Sequence, residues 1–365
     1  MRRIVSAAAL CALLPFGVSA ATVTWSGEKV IDESVNLSRT VLTVQPGARI
    51  VFRGKGALIL FGGKLIADKA EFSAAEKITG AFRMTLTNVE VRLAQCRFSG
   101  MTAEKPQKHV EGAFSLTKCG GVITDCTFTG CSALALVRND GMTVEKNLFL
   151  RPETGIFLFH SRENHLIGNE FVQALENGIA LNNASLNLIC DNRFTDCAQG
   201  LKLSWSGTKE NRITSNSFFG GKNGIHLREC GEANFFQGNL FEKISDSAIH
   251  SFSKPIEKDS VFTNNVFYGC KSAFRLPVQP ETATVTLRNN AICHAAVGIV
   301  GGGNAVVAEN NLFWQVRKLS DTTELKNTLM ADPKFKDAEN GDYRPDKDSP
   351  LLKGGGDGNC IGLFQ

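Results

Sequence analysis

The sequence has few aromatic residues with a polar tip: it contains 2 Tyr and 3 Trp beside 25 Phe. It also has only 10 Pro against 35 Gly, which excludes a collagen-like chain. With 43% hydrophobic and 21% charged residues it is too apolar for a disordered chain. Its formal net charge of +4 neither requires nor excludes an anionic partner. Because a buried Tyr hydroxyl needs a hydrogen-bond partner, an aromatic set made almost entirely of Phe predicts a large interior that excludes water.

Long apolar runs are absent after the first twenty residues. Residues 1–20 begin with the basic pair Arg2 and Arg3, continue through an apolar run from Ile4, and end in Val18-Ser19-Ala20 before Ala21. This three-part pattern predicts a cleavable signal peptide, and the run is too short to cross a bilayer comfortably. We therefore expect an exported protein, periplasmic, secreted or at the cell surface, with no stable membrane insertion after cleavage.

The chain contains a repeat marked by the tripeptide Asn-x-Phe. Its Asn residues are Asn147, Asn169, Asn192, Asn216, Asn239 and Asn265, with variants at Asn290 and Asn311. Cys96 and Cys126 take the Asn place before Phe98 and Phe128. The Phe positions 128, 149, 171, 194, 218, 241 and 267 recur every 21 to 26 residues, a period typical of solenoids.

Each repeat also carries a small residue followed by alternating apolar positions, such as Gly178-Ile179-Ala180-Leu181 and Gly224-Ile225-His226-Leu227. Alternation of this kind predicts strands. A second set of Asn residues precedes the first by five positions: Asn164, Asn187, Asn211 and Asn234. Repeated residues stack about 4.8 Å apart in a coiled solenoid, so we expect one interior Phe column and two Asn columns at corners. A parallel β-helix fits this pattern better than a leucine-rich horseshoe.

On these repeats the sequence resembles the right-handed parallel β-helix family of exported bacterial proteins, which includes pectate lyases and carbohydrate-binding and sugar-hydrolysis repeat proteins. The resemblance extends to the first coils from Leu42 to Phe52 and to the tail after Asp332-Pro333. It implies an all-β, single-domain right-handed parallel β-helix of roughly a dozen coils. We expect an N-terminal cap and first coils over 21–95, regular repeats over 96–315 and an irregular C-terminal tail over 316–365. The resemblance specifies no single function, because the fold hosts lyases, hydrolases, epimerases, adhesins and maturation factors.

Ten Cys residues follow the predicted leader, an even number that invites disulfides in an exported protein. Most fall on different columns or on coils that are not adjacent, too far apart to bond. Cys96 and Cys126 share a column on consecutive coils and are the one pair that we consider for a disulfide. The others are expected to be small buried hydrophobes. There is no Cys-x-x-Cys motif, so a structural zinc site is not expected.

Candidate chemistry lies on the residues that point outward between the apolar positions. Successive coils place Lys202, His226, His250 and Arg275 in one outward row about 14 Å long, which suits a few sugar units. A neighbouring outward set contains four residues that we assign to substrate binding: Asn182, Ser204, Trp205 and Arg228. Repulsion between stacked cations would lower the pKa of the histidines and bring one near neutrality as a base.

This row predicts recognition of an acidic, uronate-containing polysaccharide. The cations would pair with the sugar carboxylates, and Lys202, His226, His250 and Arg275 would supply the catalytic groups for β-elimination. Some β-helix lyases use Lys, Arg and His in such roles, and the match here is by residue type and strand position. The row contains no paired carboxylates, so glycoside hydrolysis is less favoured. We predict no cofactor and no metal site; calcium would need acidic ligands, and Glu229 and Asp246 are scattered in the sequence.

Other interpretations of the basic residues are compatible with the sequence. A row of basic residues is often only solvated surface. A non-catalytic periplasmic or cell-surface binding or scaffold protein, similar to the β-helix factor that matures nitrous oxide reductase, is the alternative function. We expect a monomer that binds no nucleic acid. Phe157, Phe159 and Phe252 also fall at outward positions, where they either form a lip for sugar stacking or lie under a loop.

Overall fold

A computed structural model describes residues 20–79, 81–104, 112–251, 259–277 and 285–363. The signal peptide expected at 1–20, apart from its last residue, and Phe252 lie outside this part. The structure confirms an all-β, right-handed parallel β-helix of about twelve coils. Each coil contributes short strands to three faces, and successive coils pair in parallel and in register. Within the described residues, no helix has the length and apolar content needed to cross a membrane.

The first face carries the predicted outward row, and two long strands continue from it into the second face. The strands of the first face are Ser34–Val44 and Ala57–Asp68, both shared with the second face, then Met84–Thr87, Phe114–Thr117, Leu134–Val137, Thr154–Phe159, Asn177–Asn182, Gln199–Ser204, Asn223–Arg228, Ser247–Ser251, Ser272–Leu276, Val297–Gly301 and Lys318–Ser320.

The second face forms one 25-stranded sheet with the first because the two long strands join them. Its own strands are Ala21–Trp25, Glu90–Ala94, Gly120–Thr124, Thr143–Glu145, His165–Ile167, Leu188–Cys190, Arg212–Thr214, Phe235–Gln237, Ser260–Thr263, Val285–Arg288, Val306–Glu309 and Leu325–Lys326.

The third face is a separate 13-stranded sheet that carries the Phe column. Its strands are Glu28–Ile31, Arg49–Phe52, Glu71–Ala74, Arg97–Ser99, Thr127–Thr129, Leu148–Leu150, Glu170–Val172, Arg193–Thr195, Ser217–Phe219, Leu240–Glu242, Val266–Tyr268, Ala291–Cys293 and Leu312–Trp314.

A few elements lie outside the three faces. Two small sheets pair Ile78–Thr79 with Ala103–Glu104 and, antiparallel, Phe335–Asp337 with Asp342–Pro345. Single 3₁₀ turns occur at Gly303–Ala305, Ala338–Asn340, Pro350–Leu352 and Gly356–Gly358.

The Phe column forms as the repeat predicts. Ring centroids of neighbouring Phe residues from Phe72 to Phe267 lie 4.6–5.0 Å apart, and the rings are nearly parallel. The strand that faces these rings must leave room for them. A Cβ on Gly200 would lie 2.5 Å from the ring of Phe218, so only glycine fits there without a shift. The recurrent Gly and the recurrent Phe are therefore two sides of one packing contact.

Both predicted Asn columns are continuous hydrogen-bonded ladders. In the first, from Asn147 to Asn311, each Nδ2 donates to the Oδ1 of the next coil over 2.9–3.1 Å. The second ladder, from Asn164 to Asn234, has the same contacts at 2.9–3.0 Å. These side chains also satisfy backbone groups at the corners, where strand pairing ends, and so fix the positions at which each coil turns.

The cysteines mostly behave as buried small hydrophobes. Cys96 and Cys126 occupy adjacent coils as expected, and the Cys96 amide lies 3.4 Å from the Cys126 sulfur. The two sulfurs are free thiols in this structure and do not form the disulfide considered from the sequence.

The two tyrosines, so scarce in the composition, hold the C-terminal tail. Tyr343 of the tail packs against Tyr268 of the third face, with ring centroids 5.1 Å apart. Leu351 and Ile361 of the tail are buried in the same cluster. The tail therefore covers the outside of the third face and leaves the outward row of the first face clear of this contact.

Candidate functional site

Strand register places the four predicted catalytic residues in one row on the first face. Lys202 pairs in register with His226, His226 with His250, and His250 with Arg275. The rings of His226 and His250 stack with centroids 5.3 Å apart and planes 13° from parallel. All four side chains are partly exposed. We call these four residues the basic row.

A row of uncharged polar residues borders the basic row at the start of the same strands. Gln199 Oε1 lies 2.9 Å from His226 Nδ1. Ser247 Oγ accepts a hydrogen bond of 3.1 Å from Arg275 Nε. When Nδ1 of His226 donates to Gln199, the lone pair of the imidazole lies on Nε2. These residues precede the apolar alternation that defines the outward row, so the strand pattern does not predict them.

One carboxylate lies within the basic row, contrary to the scattered placement expected for Asp246. The Oδ1 atom of Asp246 lies 3.6 Å from Arg275 Nη2 and 3.9 Å from Lys271 Nζ. Its Oδ2 lies 4.0 Å from His250 Nδ1 and accepts a bond of 3.5 Å from Asn223. Asp246 sits at the corner just before its strand, a position that strand alternation does not describe. The repulsion expected along the row is therefore partly balanced from inside the site.

The surroundings of both histidines disfavour a positive charge on the ring. Burial, with repulsion from His250 and Lys202, lowers the pKa of His226 to about 4. Burial also lowers the pKa of His250 below its ordinary value, while the nearby Asp246 carboxylate acts in the opposite direction. Of the two, His250 has the partner that stabilises a positive charge on the ring, so it is the better placed to accept a proton.

The second outward set is less uniform than predicted. Asn182, Ser204 and Arg228 share one register row. Arg228 is exposed and Asn182 is partly exposed, but Ser204 is only 3% exposed.

Trp205 occupies the corner after Ser204 and is partly exposed. Its φ of +72° is in the left-handed region, which is unfavourable for a bulky side chain. Its ring meets Phe159 edge-on, with centroids 6.1 Å apart. The residues at the equivalent corner of neighbouring coils, His160, Asn183 and Glu229, also have a left-handed φ, so this conformation belongs to the corner of the coil.

The two outward Phe residues that the structure describes, Phe157 and Phe159, pack against other side chains. Phe157 is 1% exposed and packs in a cluster with Phe82, Ala133, Ala135 and Ala180, separate from the interior core. Phe159 is partly buried against the same cluster. Of the two alternatives left open by the sequence, the structure therefore shows a covered patch at Phe157. The row that is basic on four coils is apolar and sealed on the coils before them.

The donor set of this site does not suit a metal ion. Among the described residues, no group of three or more His, Cys, Asp or Glu side chains is arranged to hold one. The two stacked histidines are flanked by Lys202 and Arg275. We therefore derive no step through a metal.

Comparison with known proteins agrees with this architecture. Residues 84–223 match the family model described as periplasmic copper-binding protein (NosD). The periplasmic alginate epimerase AlgG aligns over 82% of this chain and 78% of its own, with 14% identity and a TM-score of 0.51. The chain has the right-handed parallel β-helix fold.

Two further solved structures share this fold. The PL6 family alginate lyase AlyGC aligns over 95% of this chain and 56% of its own, with 13% identity and a TM-score of 0.55. A tailspike protein of E. coli bacteriophage HK620, solved with a pentasaccharide, aligns over 84% and 67%, with 10% identity and a TM-score of 0.51. At these identities the likeness concerns the fold alone. A search of curated protein sequences found no match.

Proposed function

We propose that this protein binds an acidic, uronate-containing polysaccharide along the basic row and cleaves it by β-elimination. The observation that carries the proposal is the register of Lys202, His226, His250 and Arg275 on one partly exposed strand face. Three coil steps span about 14 Å, enough for a few sugar units that each bring one carboxylate. Structural neighbours named as an alginate lyase, an alginate epimerase and a saccharide-bound tailspike support a polysaccharide ligand.

The groups in the row match the needs of elimination. Arg275, one coil from His250, would pair with the carboxylate of the reacting uronate and so stabilise the charge that develops when the neighbouring C5 proton leaves. Lys202, at the other end of the row, would pair with the carboxylate of a different sugar unit. His250 accepts that proton, and the electron pair of the C5–H bond forms the C4–C5 double bond as the C4–O bond breaks. The leaving oxygen takes a proton from solvent water, which balances the step. The imidazolium formed on His250 is stabilised by the Asp246 carboxylate beside Nδ1.

The remaining side chains have supporting roles in this proposal. His226 stays neutral and donates or accepts a hydrogen bond beside the base, held by Gln199. Arg228 is exposed and extends the positive surface toward the corner. Trp205, partly exposed at the corner after Ser204, offers a ring face to a sugar. Asn182 and Ser204 complete the predicted binding set.

The test is incubation with alginate, pectate and glycosaminoglycans while the ultraviolet absorbance of unsaturated uronates is followed. A rise with one of these polymers supports elimination. Deuterium uptake at C5 from heavy water without cleavage would mean that the protein removes the same proton but epimerises the sugar. Absence of product, of exchange and of binding with every polymer would overturn the proposal.

A second candidate is a non-catalytic accessory protein of the periplasm. The match of residues 84–223 to a family described as periplasmic copper-binding favours it. The matched segment, however, ends before His226 and His250, and the described residues hold no suitable metal-ligand group. Copper titration followed by metal analysis of the gel-filtered protein separates the candidates. One bound copper per chain, unchanged by loss of both histidines, would favour the accessory role.

Export is part of the same proposal. The family description and the description of AlgG both name the periplasm, in agreement with the leader expected at residues 1–20. Cell fractionation, with N-terminal sequencing of the mature protein, tests it. Recovery of the full-length chain in the cytoplasmic fraction would contradict it.

A further inference from the structure

The accessible part of the first face ends abruptly at one side of the basic row. Strand register continues the row through Ala180, Phe157 and Ala135 on the preceding coils. These three residues are 3%, 1% and 0% exposed, although they point away from the interior of the solenoid. A ligand that follows the row along the solenoid axis therefore loses contact with the sheet at Ala180.

An apolar cluster of described residues takes part in this cover. Phe82, which precedes the strand Met84–Thr87, is 7% exposed and belongs to the cluster that contains Phe157 and Ala180. This cluster shares no member with the interior core. Aromatic and aliphatic side chains packed to such low exposure exclude a hydrated, charged polymer, because its carboxylates would lose water without gaining partners.

The other side of the basic row remains accessible. The Arg275 side chain is 40% exposed. The next residue in the register row is Val300, which is partly exposed, and Gly301 beside it is partly exposed as well. Among the residues that the structure describes, the row is therefore accessible past Arg275 and covered past Lys202.

An aromatic pair stands at the sealed side. Trp205, on the corner of the Lys202 coil, meets Phe159 edge-on, and both rings are partly exposed. Rings at this position can pack against the apolar face of a sugar, as aromatic side chains do against other flat surfaces. The sealed side therefore has a contact suited to one terminal sugar, followed by cations suited to the carboxylates of the next units.

We propose that the groove is closed at the Lys202 side and receives the acidic polysaccharide by one chain end. This inference rests on the proposed function. The basic row has room for about three sugar units at a coil spacing of about 4.8 Å. Contacts then stop on one side, so the protein acts from a terminus and releases short products instead of cutting at internal positions.

The test uses uronate trisaccharides and hexasaccharides of the polymer that the protein binds, each in three forms: untagged, with a bulky tag on the reducing end, and with the same tag on the non-reducing end. Affinity is measured by titration calorimetry. We expect the trisaccharide and hexasaccharide to bind within about threefold of each other. We expect one tag position to weaken binding at least about tenfold and the other to be tolerated.

The outcomes separate the two proposals. Equal affinities for the two tagged forms, or affinity that keeps rising strongly from three to six units, would overturn the closed end while leaving the binding function intact. Failure of every oligosaccharide to bind would overturn the proposed function itself. Size analysis of an early polymer digest gives an independent reading: short products beside intact polymer support the closed end, and a rapid fall in mean polymer length contradicts it.

A variant tests the seal directly. Phe82→Ala removes one wall of the cluster and is expected to reduce the penalty of the disfavoured tag, with untagged trisaccharide binding unchanged. Thermal melting checks that the variant folds. If it does not fold, the comparison of tagged oligosaccharides decides the question alone.

Discussion

Two stretches of the first face have the same backbone geometry, but their outward side chains differ in charge and in exposure. On one stretch the outward row is Ala135, Phe157 and Ala180, sealed beneath neighbouring side chains. On the other it is the basic row, partly exposed and arranged around Asp246. The solenoid fixes the direction in which a side chain points. Whether that side chain reaches solvent depends on what other segments place above the sheet.

The largest expected effect is on turnover in the basic stretch. His250→Gln removes the proposed base and should lower the rate of unsaturated uronate formation about 100-fold or more. The fold should be unaffected because the side chain is partly exposed. His165→Gln, the same change on the exposed second face, serves as the control and should retain full activity. Equal rates for the two variants would remove His250 from the reaction.

A change in the sealed stretch should instead act on stability. Phe157→Ala leaves a cavity in the covered cluster and should reduce the free energy of unfolding by about 3–5 kcal/mol. His250→Ala, at the equivalent row position on a basic coil, should cost less than about 1 kcal/mol. Urea denaturation measures both. Similar costs at the two positions would show that the two stretches are not differently covered.

Binding should show a smaller effect, again confined to the basic stretch. Arg275→Ala removes one carboxylate partner and leaves Asp246 with fewer cations around it, so the dissociation constant should rise about tenfold. Arg92→Ala on the second face removes a cation outside the groove whose side chain is 67% exposed, against 40% for Arg275. Calorimetric titrations in the same buffer compare them, and an equal loss for both would point to non-specific charge attraction.

The smallest expected effect is on the pH dependence of stability. The pKa of His226 is about 4 in the folded chain and near its ordinary value of 6.5 when unfolded. The unfolded state therefore binds the extra proton first, and stability should fall as the pH drops from about 6.5 toward 4, by about 1–2 kcal/mol for a partly exposed group. His226→Gln should flatten this slope. A change at Phe157 should leave it unaltered.

Much of the fold could be predicted because its signals repeat. A Phe equivalent to Phe194 and an Asn equivalent to Asn192 occur in the neighbouring coils. Stacked coils place such equivalent residues in one column, whose position and direction follow from the period of the repeat. The basic row could be located by the same logic, since alternation along Gly-Ile-x-Leu fixes which residues point outward.

The remaining features of the site depend on contacts between residues that the repeat does not relate. Phe82 belongs to the same covered cluster as Phe157 although it lies several coils earlier, and no local pattern relates the two residues. Asp246 lies at a corner, where alternation no longer applies, yet its carboxylate lies 4.0 Å from His250 Nδ1 and 3.6 Å from Arg275 Nη2. Ser204 occupies an outward position in the strand pattern and is buried all the same. The sequence therefore predicts the direction in which each side chain points. The exposure of that side chain and the charge balance of the site depend on how other segments pack against the sheet.

The most direct measurement for the central claim compares a polyuronate with its carboxyl-reduced, uncharged form on the intact protein and on the double variant Lys202→Ala with Arg275→Ala. The account predicts that the intact protein binds the polyuronate and not the reduced polymer, and that the double variant loses about 100-fold in affinity. Equal binding of the two polymers, or an unchanged affinity in the double variant, would contradict it.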